Sequence, residues 1–229
     1  MLGFFLSKST IMDASVLMGR TDHHSHILPG VDDGIRTLED ALDVLSFEES
    51  LAVTDVWCTP HIMEDFPNTT EDLRLRFDAL KEAYKGNITL HLAAEYMLDN
   101  LFAERLEARD ILTINDEYIL VEASTWNPPP RLDDTLQDIL GAGYRPLFAH
   151  PDRYRYLEDD DYVKLYNMGV RFQMNIGSVV GYYGKAAQNK AYRLLKTHMY
   201  EAIGSDCHRL KTFQEQVLRK VSSKFINLI

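Results

Sequence analysis

The sequence predicts an α/β fold in which parallel strands close into a barrel with a polar mouth. Two observations predict it. Short β-rich runs alternate with helical patterns about seven times along the 229 residues, and repeated strand-then-helix units mean parallel strands joined by crossover helices. Nearly every run also ends in His, Asp, Glu or Asn. An open sheet gathers its ligands near one switch point, whereas a barrel brings all its C-terminal strand ends to one mouth. With 45% hydrophobic and 26% charged residues, the chain can bury a sizeable core. The barrel is expected to span residues 1–229 as one domain.

Residues 1–18 read as an N-terminal arm or short helix docked on the body. Lys8 and Asp13 interrupt this apolar stretch too early for a signal segment or a membrane span, and no later segment approaches a span. The first strand lies in "RTDHHSH" (20–26). A helical pattern follows it, with Thr37 as N-cap and Asp40 in an acidic first turn. "TDVWCTPH" (54–61) is the second strand, and "NTTEDLRLRFDALKEAY" is the next helix, with Gly86 as its stop. "ITLHLAAE" (88–95) and "EYILVEAS" (117–124) are the third and fourth strands. "YRPLFAH" (144–150), "VRFQMN" (170–175) and "YEAIGSDCH" (200–208) complete the set. Helical spacing recurs in "RLDDTLQDILGAG", "DDDYVKLYNMG" and "KAAQNKAYRLLKTH" between them.

The net charge of -11 argues against broad binding to nucleic acid or anionic membranes, which dense Lys/Arg patches carry. Two cysteines make no disulfide framework and fit reduced thiols in a cytoplasmic protein.

Side chains two apart on a strand share a face. Asp22, His24 and His26 therefore project one way, and His23 and Ser25 the other. His24 and His26 can grip one ion, and Asp22 is placed behind a ligand to fix an imidazole tautomer. His61, Glu95, Glu122 and His150 close successive runs, and Asp206 and His208 again stand two apart. Apolar strands deliver these groups to one mouth, where a divalent cation would offset the cost of burying them. His91 and His198 fall outside the pattern and read as structural or surface residues. Histidine and carboxylate ligands without thiolate favour Mn²⁺, Fe or Zn²⁺.

In this order, "DHHSH", "VDDG", "CTPH", "AAE", "LVEAS", "AHPDRY" and "GSDCH" resemble the polymerase-and-histidinol-phosphatase (PHP) superfamily of metal-dependent phosphoesterases. More narrowly, they resemble its bacterial protein-tyrosine phosphatase branch, associated with capsule and exopolysaccharide operons. The resemblance implies a distorted (β/α)7, TIM-like barrel with its active site at the C-terminal strand ends. It implies up to three ions, most often Mn²⁺, with Fe or Zn²⁺ as alternatives. One would take His24, His26, Glu95 and Asp206; Glu95 would bridge to a second completed by Glu122 and His150; a third would take Asp33, His61 and His208. Asp32 is left a turn or supporting role behind the ligands.

The activity implied is hydrolysis of phosphotyrosine in proteins by a metal-activated hydroxide, without a covalent phosphoenzyme. Arg153 would steady the phosphoryl oxygens, and the tail of a bacterial tyrosine kinase of polysaccharide synthesis would be the partner. Relatives commonly carry a second arginine where this chain has Phe213, leaving Arg209 or Lys211 as neighbouring candidates for substrate binding. The spacing of a cysteine phosphatase is missing: Glu64 and Phe213 stand six residues after Cys58 and Cys207, where an arginine is required. Two alternatives stay open, a phosphatase of small phosphomonoesters such as histidinol phosphate and a non-catalytic, metal-stabilised kinase-binding module.

Overall fold

Each of the seven predicted runs contains a strand in the computed structural model, which describes residues 8–229. The strands are β1 (Lys8–Ser9), β2 (Thr21–Ser25), β3 (Asp55–Cys58), β4 (His61–Ile62), β5 (Thr89–Leu92) and β6 (Glu95–Met97). They continue with β7 (Tyr118–Glu122), β8 (Arg145–Ala149), β9 (Arg171–Asn175), β10 (Tyr200–Gly204) and β11 (Val221–Ser222). The helices are α1 (Leu38–Ser50), α2 (Thr70–Ala83), α3 (Asn100–Ala108), α4 (Leu132–Gly141) and α5 (Asp159–Met168). The last four are α6 (Ile176–Val179), α7 (Lys185–Lys196), α8 (Leu210–Val217) and α9 (Ser223–Ile226).

Parallel pairing gives a three-stranded sheet, β2-β3-β5, and a six-stranded sheet, β10-β9-β8-β7-β6-β4. The runs 54–61 and 88–95 are each broken in two, so both cross from one sheet to the other. Pro60, between β3 and β4, has no N–H to give to a ladder. Single hydrogen bonds still bridge the break, from the Ala93 amide to the Cys58 carbonyl and from the Glu95 amide to the Pro60 carbonyl. On the far side, the Asp206 amide donates to the His24 carbonyl and the His26 amide to the Cys207 carbonyl, with a bridge from Ser25 to Cys207. The strands thus follow one another in ring order, and the C-terminal end of β2 meets the segment leaving β10.

Strand alternation sorts the core. Ile119, Val121, Phe148 and Phe172 join the large outer cluster against the helices, while Leu120, Leu147, Ala149, Trp57 and Ala202 form a separate inner one. Glu122 lies two residues past Leu120, which puts its carboxylate on the inward face. Thr37 caps α1 as its sequence suggests, its hydroxyl accepting from the Asp40 amide. α2 ends at Ala83, before Gly86. The helical patterns read from the sequence omit α3, α6, α8 and the single-turn α9. α3 and α8 have no acidic first turn, and α6 is a single turn of four residues.

The expected arm at 1–18 lies outside the described residues for 1–7. From residue 8 it forms β1, which pairs antiparallel with β11, and then a series of turns that buries Ile11, Val16 and Leu17.

β10 passes close to β2 at Gly204. A Cβ at Gly204 would stand 2.5 Å from His24 Cβ and 2.6 Å from Gln173 Nε2. Gly204→Ala is therefore expected to destabilise the fold by about 1–3 kcal/mol, read as a lower urea midpoint with an unchanged slope.

Candidate metal centre

β2 carries His24 inward and His26 follows just past its end, both fully buried. The Nδ1 of His24 is hydrogen-bonded to Gln173 Oε1 at 2.9 Å, and the Nδ1 of His26 to Asp32 Oδ2 at 2.9 Å. With both Nδ1 atoms donating, the two Nε2 atoms face each other at 3.0 Å as lone pairs unless a proton or a cation lies between them. Two nitrogens each about 2.1 Å from one ion, at right angles, stand about 3 Å apart.

Glu95 opens β6 at the centre of the mouth, 1% exposed. Its Oε2 is 3.2 Å from the Nε2 of both His24 and His26 and 3.3 Å from His61 Nδ1, and its Oε1 is 3.2 Å from His150 Nε2. Glu122 lies 3.2 Å from His61 Nδ1 and 3.7 Å from His150 Nε2. Asp206 Oδ1 lies 3.5 Å from His26 Nε2, 3.7 Å from His24 Nε2 and 3.3 Å from His208 Nδ1. Asp33 Oδ1 completes the rim, 3.3 Å from His208 Nε2 and 3.6 Å from His61 Nε2. All nine ligand candidates meet in one cluster.

Three groups have donor atoms close enough to hold an ion: His24, His26 and Asp206; His61, Glu95 and Glu122; and His26, Asp33, His61 and His208. His26 and His61 each serve two groups, whereas motif matching assigns each to one. His150 lies outside these groups and reaches the cluster through Glu95 and Glu122. The donors suit a divalent cation, being only imidazole nitrogen and carboxylate oxygen. His61 Nδ1 is buried without a hydrogen-bond partner between two carboxylates, as expected of an atom shaped for an ion. His150 and Asp206 both have left-handed backbones, with φ of 35° and 52°. Such strain costs about 1–3 kcal/mol per residue and persists only where surrounding contacts enforce it.

The supporting groups depart from the sequence reading at one place. Asp22 does not fix an imidazole; its Oδ1 accepts from the backbone amides of His24 and Ser205, tying β2 to the end of β10. The tautomer-fixing contacts come from Asp32 and Gln173 instead. Asp32 also accepts from the Gly34 and His61 amides. Gln173 and Asn175, which donates to Asp206 Oδ2 at 2.6 Å, went unassigned. Their signal was present: two amide side chains at alternate positions of an apolar strand.

Arg153 ends the short turn Pro151–Arg153 after β8, and its Nη1 donates to Asp206 Oδ2 at 3.1 Å. Its guanidinium lies 4.6 Å from the centre of the Tyr183 ring. A cavity of about 320 Å³ opens over the cluster, its lining including Asp33, Arg153, Tyr183, Asp206, His208 and Arg209. Arg209 Nη1 is committed to the carbonyls of Asp33, Gly34 and His208, so this arginine clamps the loop at the rim. Lys211 is exposed and does not line the cavity. Phe213 is buried edge-to-face against Phe47 in the core. Cys58 and Cys207 are buried, and burial pushes both thiols up, away from thiolate.

In protein stripped of divalent ions, burial alone would lower the pKa of His24, His61 and His208, but the carboxylates outweigh it. Glu95 and Asp206 raise His24 to about 9, Glu122 and Glu95 raise His61 to about 9, and Asp206 and Asp33 raise His208 to about 11. The hydrogen bond to His208 holds Asp33 down at about 2.

Parallel strands that bring nine nitrogen and oxygen donors to one mouth define an α/β protein built around a candidate metal cluster. The model of the capsular polysaccharide synthesis family CpsB/CapC matches residues 20–223, and the chain belongs to that family. It is 29% identical over 199 residues to the tyrosine-protein phosphatase YwqE of Bacillus subtilis, covering 83% of this chain and 78% of that one. The fold matches a structure described with YwqE of Bacillus subtilis and CpsB of Streptococcus pneumoniae as metal-dependent tyrosine phosphatases. That match has a TM-score of 0.76 and 25% identity, over 90% of this chain and 84% of the other. Histidinol phosphate phosphatase from Lactococcus lactis shares the fold at a TM-score of 0.58 and 12% identity, over 92% and 93% of the two chains.

Two outcomes are expected. Ion uptake should release protons and tighten as pH rises toward 9, the value of His24 and His61. The ion-free fold should respond oppositely: stability from these raised imidazoles is complete below about 6.5 and is lost as pH passes 9. Titration calorimetry in buffers of different ionisation heat counts the protons, and zero net release would contradict the assignment. Second, Gln173→Leu should weaken ion binding about 10- to 100-fold while the far-ultraviolet circular dichroism stays unchanged.

Proposed function

We propose that the chain is a metal-dependent protein-tyrosine phosphatase, acting in the cytoplasm on a tyrosine kinase of capsule or exopolysaccharide synthesis through phosphotyrosines in the kinase tail. One observation carries the reading: Arg153, the cation suited to a phosphoryl group, is anchored on Asp206, a carboxylate of the same histidine-rich cluster. The names of its CpsB/CapC relatives support the substrate class.

His24, His26, Glu95 and Asp206 would hold one ion, Glu95, Glu122 and His150 a second, and Asp33, His61 and His208 a third. Manganese is the ion assigned. Divalent ions in this cage supply a nucleophile at neutral pH and a charge clamp for phosphoryl oxygens. The chain's own groups do the positioning. Asp206 and the Tyr183 ring hold Arg153 at the cavity edge, and the rest of its planar fork is left to pair with the oxygens that gain charge in the transition state. Gln173 and Asp32 aim the lone pairs of His24 and His26 into the cluster. The buried thiols of Cys58 and Cys207 argue for direct hydrolysis without a phosphocysteine. The reading treats residues 1–229 as one catalytic domain.

Hydrolysis of a phosphotyrosine peptide should therefore be abolished by EDTA and restored by Mn²⁺. Arg153→Ala should lower kcat/KM by about 100-fold, and Cys58→Ala should retain turnover. Comparing phosphotyrosine peptide, histidinol phosphate and a phosphodiester separates the readings. Preference for histidinol phosphate would move the substrate to a small phosphomonoester, and no turnover with ions bound would leave a kinase-binding module.

A further inference from the structure

A second cavity, of about 440 Å³, adjoins the mouth and shares Arg153 and Tyr183 with it. Its lining includes Thr125, Asp152, Arg155 and Lys190. Lys190 is fixed there, its ammonium donating to the carbonyls of Tyr154 and Leu157. Arg155 is exposed, and its guanidinium lies 3.4 Å from the centre of the Trp126 ring. No described carboxylate lies within ion-pair distance of that guanidinium. Trp126, in the loop "STWNPPPR", is 63% exposed, while the other tryptophan, Trp57, is buried at 7%. Asp152, the acidic residue in this lining, is 2% exposed and accepts from the Tyr200 hydroxyl, so it turns away from solvent.

A chain with a net charge of -11 thus presents a local cationic wall, Arg153, Arg155 and Lys190, running away from the candidate metal cluster. A guanidinium stacked on an aromatic face is held in place while its N–H donors stay free at the edge. Arg155 follows Arg153 by two residues, and an extended peptide rises about 3.3 Å per residue. Arg153 and Arg155 line the same cavity, so a side chain a few positions from a residue seated at Arg153 is the one placed to meet Arg155.

Building on the phosphatase reading above, we propose that the Arg155–Trp126 stack is a specificity subsite that receives an acidic side chain flanking the phosphotyrosine of the substrate peptide. The subsite selects among phosphotyrosine sites and contributes nothing to the hydrolysis of a free aryl phosphate.

The test uses the full, Mn²⁺-loaded chain and peptides carrying a non-hydrolysable phosphonate analogue of phosphotyrosine, flanked by Glu, Ala or Lys. Binding is read from the emission of exposed Trp126. The Glu-flanked peptide should bind about 3- to 10-fold tighter than the Ala-flanked one, and the Lys-flanked one weaker than both. The difference should shrink in high salt. Arg155→Ala should erase the preference while leaving p-nitrophenyl phosphate turnover unchanged, and Trp126→Phe should remove the emission signal but keep most of the preference, read for this variant by titration calorimetry. Equal affinities for the Glu- and Ala-flanked peptides, or a preference that survives Arg155→Ala, would overturn the subsite. Hydrolysis of the matching phosphotyrosine peptides is assayed in parallel. Its failure would strike the phosphatase reading alone, because the affinity series stands on binding.

Discussion

The fold is organised around one buried anion. Glu95 is withdrawn from water and touched by four imidazoles, His24, His26, His61 and His150, delivered by β2, β4 and the turn after β8. An isolated carboxylate there would cost several kcal/mol, so every element that brings a histidine to it is also answering a desolvation problem. His24, drawn up in pKa by Glu95 and Asp206, shows how strongly the site demands positive charge. Protons can supply it in part. Divalent ions supply it more completely, because one ion serves several oxygens and nitrogens at once.

The residues behind the cluster divide the work by what they hold. Gln173 and Asp32 hold imidazole rings, Asn175 and Arg153 hold the Asp206 carboxylate, and Asp22 holds backbone. The Asp22 contacts fall where β2 meets the end of β10, so ring closure and the separation between His24 and Asp206 are set by the same carboxylate. Arg209 plays a comparable part at the rim by gathering carbonyls. With Phe213 buried in the core and Arg209 committed to carbonyls, the cavity edge has Arg153 as its phosphate-suited cation, and the cationic lining continues from it toward Arg155.

The strands and the convergence of their ends were legible because both depend on short-range rules. Alternation along β2 separates His24 and His26 from His23, whose Nδ1 instead meets the Ile203 carbonyl, and it carries Glu122 inward behind Leu120. What the sequence did not disclose was long-range. The sharing of His26 and His61 between groups depends on the segments after β2 and β10 that bring Asp33 and His208 beside them. The break at Pro60 splits the ring into two sheets, although the proline itself was in view. Asp22 faces the predicted way but is taken up by two amides, one of them 183 residues distant. Gln173 shares a face with Asn175 on an apolar strand, but an amide in mid-strand looks like ordinary polarity until the imidazole opposite it is known.

The left-handed backbones of His150 and Asp206 give the site a mechanical character. Each has a positive φ, and each amide is tied down, that of His150 to Gln173 Oε1 and that of Asp206 to the His24 carbonyl. Release of an ion held there would then involve main chain at two turns as well as the ligand side chains. Exchange of an ion held there would then be tied to the relaxation of two neighbouring turns, after β8 and β10, which only β9 separates and the Arg153–Asp206 pair joins.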